Sequence, residues 1–259
     1  MKRSAFLFLT AALALVSACN DAHEAEIFPI QDNAAPRLMP RALFADAPDS
    51  LIAELGLEEG IPASVCAFLV KTEGQEILFD AANGAPDSQL LPILDSYAVA
   101  PEDIDHIFIT HLHGDHIGGL VNSDTAVFPN AELHINKIEL DSWLAMPSGQ
   151  TGNLDKVMEA YKGRLHTFTP GDELPCGISA IEAYGHTAGH TMYKIGNAVI
   201  AGDIMHGAAL QIPYPEYSAR FDMDKDNAAA ARRSLMEYAA EEGLKVYGMH
   251  FPAPYFIEF

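Results

Sequence analysis

The chain contains the segment Ile107-Phe-Ile-Thr-His111-Leu-His113-Gly-Asp115-His116-Ile-Gly-Gly-Leu120, which places four metal-capable side chains within six residues after an apolar, strand-like run. His111 and His113 are two residues apart on extended backbone, so their side chains project to the same side and can share one ion. The glycine that follows allows a tight turn, which carries Asp115 and His116 round to a second ion. Imidazoles and carboxylates are ligands that Zn²⁺ accepts, and two ions about 3.5–4 Å apart form a hydrolytic unit. A solvated, histidine-rich loop is the simpler alternative.

Further histidine- and aspartate-bearing segments extend this pattern. Downstream they read Gly185-His186-Thr-Ala-Gly-His190, Ala198-Val-Ile-Ala-Gly-Asp203 and Lys245-Val-Tyr-Gly-Met-His250, and upstream Glu76-Ile-Leu-Phe-Asp80 closes another apolar run. Together these motifs resemble the signature of the metallo-β-lactamase superfamily, in the same order and over roughly residues 61 to 254. Independently of any family, the metal-bearing segments follow strand-like runs, so a layered α/β sandwich would gather them at one edge.

The resemblance implies the metallo-β-lactamase fold, a four-layer αβ/βα sandwich of the α/β class in which two mixed β-sheets are flanked by helices. It also implies two zinc ions per chain. One ion would be held by His111, His113 and His186, the other by Asp115, His116 and His250, with Asp203 bridging them. Asp80 would orient a ligating imidazole, and a strand-end cap is the alternative role for this residue. His190 would be structural or would support a ligand.

Length and charge restrict the class of protein. A chain of 259 residues with 49% hydrophobic content can bury one large core, and no linker rich in Pro, Gly or Ser divides it. The formal charge is −21, from 36 acidic and 15 basic residues. Such a chain should repel nucleic acid, which argues against the superfamily members that process tRNA or repair DNA. We therefore expect an enzyme that acts on a small molecule.

The first residues resemble a bacterial secretory leader of the lipoprotein type, and we assign residues 1–18 to this signal peptide. Two basic residues precede an apolar run of about 12 residues, which is too short for a comfortable membrane span. The end of the leader, Leu15-Val-Ser-Ala-Cys19, resembles a lipobox. Cys19 would then carry a lipid anchor on the periplasmic side of a bacterial membrane. An ordinary cleaved signal, which would leave a soluble periplasmic protein, is the alternative.

Residues 19–60 are predicted to form a tether and an N-terminal arm, and residues 61–259 the catalytic domain. The arm would line the substrate cleft or form a homodimer contact, and the sequence leaves both open. In the arm, Asp49 or Ser50 is the predicted N-cap of a helix.

Hydrophobic patterning predicts several elements of the catalytic domain. They are a hairpin of residues 65–70 and 76–80, a helix over 90–97, a helix that begins at 117–120, a strand over 131–135, and one or two amphipathic helices within 222–243 that serve packing. Cys66 lies in a predicted strand and Cys176 in a turn, so we expect two unpaired thiols, with a disulfide as the alternative.

The ligand set favours hydrolysis. His113 stands where oxygen-reducing diiron relatives carry Glu, which favours zinc over redox chemistry. We expect a hydroxide that bridges two zinc ions to cleave an ester, lactone or phosphotriester, because even one Zn²⁺ lowers the pKa of bound water to about 7. Asp115 would take or relay the released proton.

The branch of the superfamily is indicated by further resemblance. The secretory leader, the segment Gly202-Asp-Ile-Met-His206 and the ending His250-Phe-Pro-Ala-Pro254 look most like methyl parathion hydrolase and the quorum-quenching lactonases. The alternatives are a thioester hydrolase similar to hydroxyacylglutathione hydrolase, a β-lactamase, and a non-catalytic metal-binding lipoprotein. Many true β-lactamases lack a bridging carboxylate such as Asp203.

Two segments are predicted to form the substrate pocket, residues 136–165 on one side and Gln211 to Tyr217 on the other. Their apolar walls would be Trp143, Met146, Tyr214 and Tyr217, with plain core packing as the alternative for Trp143. Such a pocket favours neutral, fairly hydrophobic substrates over a glutathione conjugate, since the basic residues of these segments are scattered. His206 would lie near enough to assist the leaving group.

Overall fold

The computed structural model of the chain describes residues 25–147 and 149–259. The predicted signal peptide and the predicted lipid attachment at Cys19 lie outside these residues. Within them, no helix combines the length and the apolar character that a membrane span requires.

The secondary structure alternates between strands and short helices. The strands are β1 (Glu26–Gln31), β2 (Arg37–Met39), β3 (Ile61–Ala63), β4 (Cys66–Thr72), β5 (Gln75–Phe79), β6 (His106–Ile109), β7 (Val121–Asn122), β8 (Thr125–Ala126), β9 (Glu132–Asn136), β10 (Leu165–Phe168), β11 (Ser179–Glu182), β12 (Thr191–Ile195), β13 (Ala198–Ile200), β14 (Lys245–Tyr247) and β15 (Phe256–Glu258). The α-helices are α1 (Asp49–Glu54), α2 (Leu90–Ser96), α3 (Gly114–Ile117), α4 (Lys137–Leu144), α5 (Leu154–Ala160), α6 (Ala208–Gln211) and α7 (Lys225–Glu242). Short 3-10 helices occupy Arg41–Phe44, Pro101–Asp103, Gly118–Leu120 and Pro175–Gly177.

Most strands belong to two mixed sheets. The larger sheet has the order β1-β4-β5-β6-β9-β10, in which β5, β6, β9 and β10 run parallel and the first two pairings are antiparallel. The smaller sheet has the order β11-β12-β13-β14-β15, and in it β13 and β14 form the parallel pair. Parallel strands end at the same edge of a sheet, so Asp80 after β5 and His111 after β6 emerge side by side.

Strand β4 shows how the layers form, because its apolar side chains alternate between two cores. Phe68 and Val70 pack between the sheets with Tyr193 and Ile200 of the smaller sheet. Leu69 points the other way, into a core formed with α2, α4 and α5. Helices α6 and α7 cover the outer face of the smaller sheet. The order of helices, sheet, sheet and helices confirms the predicted four-layer sandwich.

The arm is part of this fold. β1 pairs with β4 along its whole length and forms one edge of the larger sheet, and β2 pairs with β3. The rest of the arm packs with α6 in an apolar cluster around Phe44, Ile52, Ile61 and Leu210, which we call the arm cluster. The predicted boundary at residue 61 therefore does not separate two structural units, because the strand partners of residues 26–39 lie beyond it.

Several predicted elements are confirmed with shifted ends. The hairpin is β4 and β5, and residues 222–243 contain the single helix α7, which Asp224 caps. Helix α1 begins at Asp49 itself, so Pro48 occupies the N-cap position in place of Asp49 or Ser50. The helix expected after His116 starts earlier, as α3, and Gly118 and Gly119 continue it as a 3-10 turn. Cys66 and Cys176 are both free thiols, as predicted.

Candidate metal centre

The cluster is built from residues that leave strands at one edge of the sandwich. His111 follows β6, His113 directly precedes α3, and Asp115 and His116 lie within α3. The other candidate ligands follow strands of the smaller sheet. His186 follows β11, Asp203 follows β13 and His250 follows β14. Both sheets therefore contribute side chains to one cluster.

Three imidazoles converge in the first group. Nε2 of His111 lies 2.8 Å from Nδ1 of His113, and Nε2 of His186 lies 3.1 Å and 2.9 Å from these two atoms. Burial is the main cause that lowers the pKa of His113 and of His186 to about 4, and it holds the pKa of His111 well below its usual value. The rings are therefore neutral near pH 7 and can offer lone pairs to a cation.

Asp115, His116 and His250 form a second group, in which the ligand atoms lie within 4.8 Å of one another. The Nε2 atoms of His116 and His250 lie 3.9 Å and 3.8 Å from the two carboxylate oxygens of Asp115. Burial alone would raise the pKa of Asp115, but the charges of His116 and His250 together with a backbone hydrogen bond outweigh it, and the pKa is lowered. Asp115 is thus an ionised ligand whose side chain is 33% exposed.

Asp203 lies between the two groups. Its Oδ2 is 3.7 Å and 3.5 Å from Nε2 of His111 and His186, and 3.1 Å from Nε2 of His250. Its Oδ1 is 3.2 Å from Nε2 of His116. Burial would raise the pKa of Asp203, but His250 and His116 outweigh that effect and hold the pKa well below its usual value. One ionised carboxylate therefore faces both groups.

These residues fit two metal ions. In a tetrahedral zinc site with bonds of about 2.0–2.1 Å, neighbouring ligand atoms are about 3.3 Å apart, close to the spacing in the first group. Nε2 of His116 and Oδ1 of Asp203 are buried and have no hydrogen-bond partner among the described residues. Buried polar atoms without partners are costly, and cations at these positions would satisfy them.

Asp80 holds His116 from behind. Its Oδ2 lies 2.5 Å from Nδ1 of His116, and its two oxygens accept hydrogen bonds from the backbone N–H and the hydroxyl of Thr110 at 2.8 Å and 2.7 Å. With Nδ1 donating to Asp80, Nε2 of His116 is directed at Asp203. Asp80 has a positive φ of 57°, which Asp tolerates better than most residues. It lies where the predicted orienting role requires it.

Asp222 holds His186 in the same way, and the sequence analysis missed it. Its Oδ1 lies 3.0 Å from Nδ1 of His186, and its Oδ2 lies 3.4 Å from Nη1 of Arg232. Arg232 is buried in α7 and also donates to two backbone carbonyls and a serine hydroxyl. The prediction that residues 222–243 serve packing alone is therefore wrong. The available signal was an arginine on the same helix face as Ala228 and Leu235.

Glu139 connects the two histidine loops and was also missed. This carboxylate is 1% exposed, and its Oε1 accepts from the backbone N–H of Leu112 at 2.9 Å and from Nε1 of Trp143 at 2.7 Å. Its Oε2 accepts from the hydroxyl of Thr187 at 2.7 Å and the backbone N–H of Gly189 at 2.9 Å. One side chain therefore fixes the backbone between His111 and His113 to the backbone that follows His186.

Backbone contacts fix two more rings. Nδ1 of His250 donates to the carbonyl of Ser64 at 2.8 Å, so its Nε2 points into the cluster. Nδ1 of His190 donates to the carbonyl of Ala183, and its Nε2 accepts from the backbone N–H of Asp203 at 3.0 Å. Burial is the main cause that lowers the pKa of His190 to about 3. His190 is therefore a neutral support for the backbone of Asp203.

His206 lies beside the cluster and away from its open side. Its Nε2 is 3.3 Å from Oδ2 of Asp203, its ring stacks on that of His250 with centroids 5.3 Å apart, and the residue is 1% exposed. Oε1 of Gln211 accepts from the backbone N–H groups of His206 and of the next residue. This position favours contact with Asp203 over direct contact with a leaving group. The proton-transfer role of His206 remains a prediction.

A cavity of about 240 Å³ opens over the cluster. Its lining residues are Arg37, Met39, His113, Gly114, Asp115, Phe221 and His250. The arm supplies the outer wall, because the β2–β3 pairing carries Arg37 and Met39 to the mouth.

The four predicted pocket walls do not line this cavity in the described structure. Trp143 is 6% exposed and belongs to the core under the larger sheet, with its ring edge-on to His113 at 5.5 Å between centroids, and Met146 packs on the same core. Tyr214 and Tyr217 pack on the arm cluster. The prediction failed because these four side chains pack in apolar cores whose position the sequence does not reveal.

A second cavity of about 460 Å³ lies against Gly84, Leu91 and Val121. It is larger than the cavity over the cluster, but no Asp, Glu, His, Cys, Lys or Arg lines it in the described structure. The smaller cavity is therefore the one that carries the chemistry.

The fold and the cluster define a class of protein, a two-sheet sandwich with a cluster of His and Asp side chains that could hold metal ions. The chain belongs to the metallo-β-lactamase superfamily, whose model matches residues 61–250. The predicted family is thus confirmed, and the structural neighbours agree with the predicted lactonase-like branch.

Two solved structures are similar over most of the chain. One is AbOPH, a hydrolase in the β-lactamase superfamily, with 28% identity, a TM-score of 0.81, and coverage of 90% of this chain and 89% of that chain. The other is AidC, a dizinc quorum-quenching lactonase in complex with a product, with 25% identity, a TM-score of 0.82, and coverage of 91% and 90%.

Among curated proteins, the chain is similar to the hydroxyacylglutathione hydrolase of Aeromonas hydrophila subsp. hydrophila. The two are 26% identical over 154 residues, which are 58% of this chain and 53% of that protein. The chain spans about half the length of the curated relatives it matches.

Proposed function

We propose that this protein is a zinc-dependent hydrolase that cleaves an ester, a lactone or a phosphotriester. The observation that carries the proposal is the convergence of three imidazole nitrogens within 2.8–3.1 Å, joined through Asp203 to a second ligand group beneath an open cavity. Two zinc ions bound there would supply electrophilic assistance to the scissile group and an activated water as nucleophile.

The chain's own residues supply positioning and a proton acceptor. Asp80, Asp222 and the carbonyl of Ser64 each hold one imidazole so that its free nitrogen faces the cluster. Asp115 is ionised, partly exposed and among the lining residues of the cavity. It is therefore placed to accept a proton during attack and to pass it to the leaving oxygen.

The substrate class is supported by the cavity and by the similar structures. Met39 and Phe221 offer an apolar surface beside the ligands, and Phe221 is 43% exposed. Apolar contact supplies affinity, while a few polar groups fix orientation. AidC is a lactonase, and this likeness favours lactones as the first compounds to test.

A substrate panel with metal analysis on the same preparation tests the proposal. We expect two zinc ions per chain and a higher kcat/KM for an acyl-homoserine lactone or an aryl phosphotriester than for S-lactoylglutathione. Asp141→Ala is a matched control, because Asp141 is exposed and pairs with Lys137 on the outer face of α4. Zinc-loaded protein without turnover of any compound would indicate a metal-binding protein that is not an enzyme.

The alternative function is thioester hydrolysis, which the likeness to the Aeromonas hydroxyacylglutathione hydrolase favours. The described cavity has one basic lining residue, Arg37, whereas a glutathione conjugate carries several charges. A clear preference for S-lactoylglutathione in the panel would make the alternative the better proposal.

We also propose that the protein is attached by lipid at Cys19 to a membrane that faces the periplasm. The support is the lipobox-like sequence Leu15-Val-Ser-Ala-Cys19 after a basic and apolar leader. Cys19→Ser should leave the precursor uncleaved at that point or release soluble protein. Wild-type protein that fractionates as soluble and carries no lipid mass would contradict the anchor.

A further inference from the structure

The lining of the cavity over the cluster includes one arginine as well as candidate metal ligands. Arg37 is exposed and lines the same cavity as His113, Asp115 and His250. No Lys and no other Arg lines it in the described structure. A ligand that enters the cavity therefore meets both the candidate metal ligands and one arginine.

Strand pairing fixes the backbone of Arg37 in this position. Arg37 pairs with Ala63 and Met39 with Ile61 across the β2–β3 ladder. Alternation along the strand puts Arg37 and Met39 on one face and Leu38 on the other, where Leu38 packs against Gly60. Met39, the next residue after Arg37 on the same face of β2, is buried in the arm cluster and holds the strand against this core.

The guanidinium group of Arg37 has no protein carboxylate within 4.0 Å in residues 25–147 and 149–259. Three other arginines there do have one, since Arg41 pairs with Asp49, Arg232 with Asp222 and Arg233 with Glu216, whereas Arg164 donates to backbone carbonyls and Arg220 has no carboxylate partner among these residues. The whole chain carries 36 acidic residues against 15 basic ones, so carboxylates are abundant. Even Asp115, which opens to the same cavity, does not pair with Arg37. The donors of Arg37 are therefore available to a ligand.

We infer that Arg37 binds a carboxylate of the substrate, so that the preferred ester or lactone is a monoanion with an apolar part. This inference rests on the proposed hydrolase function, specifies its substrate and replaces the neutral substrate expected from the sequence. A guanidinium group matches a carboxylate with two parallel hydrogen bonds, and Phe221 offers contact to the apolar part. One basic residue suits one negative charge. It also opposes the repulsion that a chain of charge −21 exerts on an anion.

Two aryl esters with the same leaving group test the inference. The 4-nitrophenyl ester of butyric acid is neutral, and the mono-4-nitrophenyl ester of glutaric acid carries one carboxylate. Metal-loaded Arg37→Gln should lose about tenfold or more in kcat/KM on the glutarate ester, chiefly through KM, and change less than about twofold on the butyrate ester. Arg37→Lys should recover part of the loss, because the charge remains without the paired donors.

Arg41→Gln is the matched control. Arg41 lies in the same arm, is exposed and pairs with Asp49 away from the cavity. The substitution removes the same charge as Arg37→Gln. Its glutarate-to-butyrate ratio of kcat/KM should equal that of wild type. An equal loss of kcat/KM on the glutarate ester for Arg37→Gln and Arg41→Gln, or a loss shared by both esters, would overturn the inference. Either result would indicate a non-specific electrostatic effect of the arm's charge.

Binding of non-hydrolysable amides separates the inference from the function it rests on. Glutaric acid monoanilide and butyranilide have the shapes of the two esters, and calorimetry measures their affinity for the metal-loaded protein. Weaker binding of the monoanilide to Arg37→Gln, with butyranilide unchanged, supports the inference even if no ester is turned over. Unchanged binding of both amides would overturn it, whereas absence of turnover alone would count against the hydrolase proposal.

Discussion

For three of the histidines that are candidate ligands, the hydrogen bond of one ring nitrogen decides where the other nitrogen points. His116, His186 and His250 have their outer nitrogens bound to Asp80, Asp222 and the carbonyl of Ser64. Each contact selects one tautomer and leaves the other nitrogen directed at the cluster. These three contacts therefore set the direction of three of the five candidate imidazole ligands.

We expect the replacement of Asp203 to reduce zinc binding and hydrolysis the most. Asp203→Ala removes the carboxylate that faces both groups and should lower zinc content below two ions per chain. Hydrolysis should fall by more than about a hundredfold, since even outer partners of metal ligands cost 10–100-fold. Metal analysis and kinetics on one preparation check this, with Asp141→Ala as the surface control. Two retained ions with near-normal activity would remove the bridging assignment.

The sequence revealed the candidate ligands because their residue types are dense and local. His111, His113, Asp115 and His116 occupy six positions, and Asp203 and His250 each close an apolar run. Asp222 and Glu139 could not be found in this way. Asp222 contacts His186, which lies 36 positions away, and Glu139 contacts the backbone of Leu112, which lies 27 positions away. A single carboxylate in a helix or loop has no distinguishing spacing in the sequence.

At the scale of elements, α4 joins the two halves of the site. Its first turn follows β9, and Glu139 reaches back to the loop after β6 and across to the loop that carries His186. The sequence analysis placed residues 136–165 over the substrate instead. Residues 137–144 do form a helix, but Trp143 packs in a core and Glu139 binds backbone N–H groups. Only the tertiary fold determines where these side chains point.

Glu139→Gln tests the role of α4. The amide replaces one acceptor oxygen with an NH₂ group that faces N–H or O–H donors, so the two histidine loops should separate slightly. We expect zinc affinity to fall about 10–100-fold, measured by competition with a chelator. Asp141→Asn makes the same chemical change two residues further along α4 on an exposed side chain and should leave the affinity unchanged. Equal affinities for the two variants would refute the role of Glu139.

At the scale of the molecule, the cluster connects the two sheets. Larger-sheet connections supply His111, His113, Asp115 and His116, and smaller-sheet connections supply the remaining three candidate ligands. The apolar runs before the metal-capable residues predicted a layered α/β sandwich, and the resemblance of the motifs to the superfamily implied the four-layer order. The place of the arm was not predictable, because β1 and β2 are short and pair with strands that follow residue 60.

Removal of the metal should therefore destabilise the whole sandwich. A ligand present at about 100 times its Kd stabilises the native state by about 2.7 kcal/mol. For a domain of this size that corresponds to about 5–10 °C in Tm. Scanning calorimetry before and after chelation, and again after zinc is restored, measures the shift. A Tm that does not change on chelation would show that zinc does not bind the native cluster.

His134 offers a test of pH-dependent stability away from the metal cluster. It is 7% exposed in β9, its ring stacks on Phe108 at 4.5 Å between centroids, and its Nε2 lies 3.1 Å from Nδ1 of His106. Burial is the main cause that lowers the pKa of His134 to about 3, and the neighbouring His106 and His166 lower it further. Between about pH 3 and 6.5, the unfolded chain therefore binds a proton at this residue that the native protein does not.

Native stability should thus fall as the pH drops below about 6.5, and His134→Gln should remove this contribution. Plotted against pH, the free energy of unfolding of wild type should be steeper than that of the variant by up to about 1.4 kcal/mol per pH unit. Denaturant titrations from pH 8 to 5 at one zinc concentration keep the metal-ligand contribution common to both proteins. The difference at pH 8 measures the loss of packing against Phe108 and of the contact with His106, because His134 is neutral in both states there. Parallel curves from pH 8 to 5 would contradict the lowered pKa of His134.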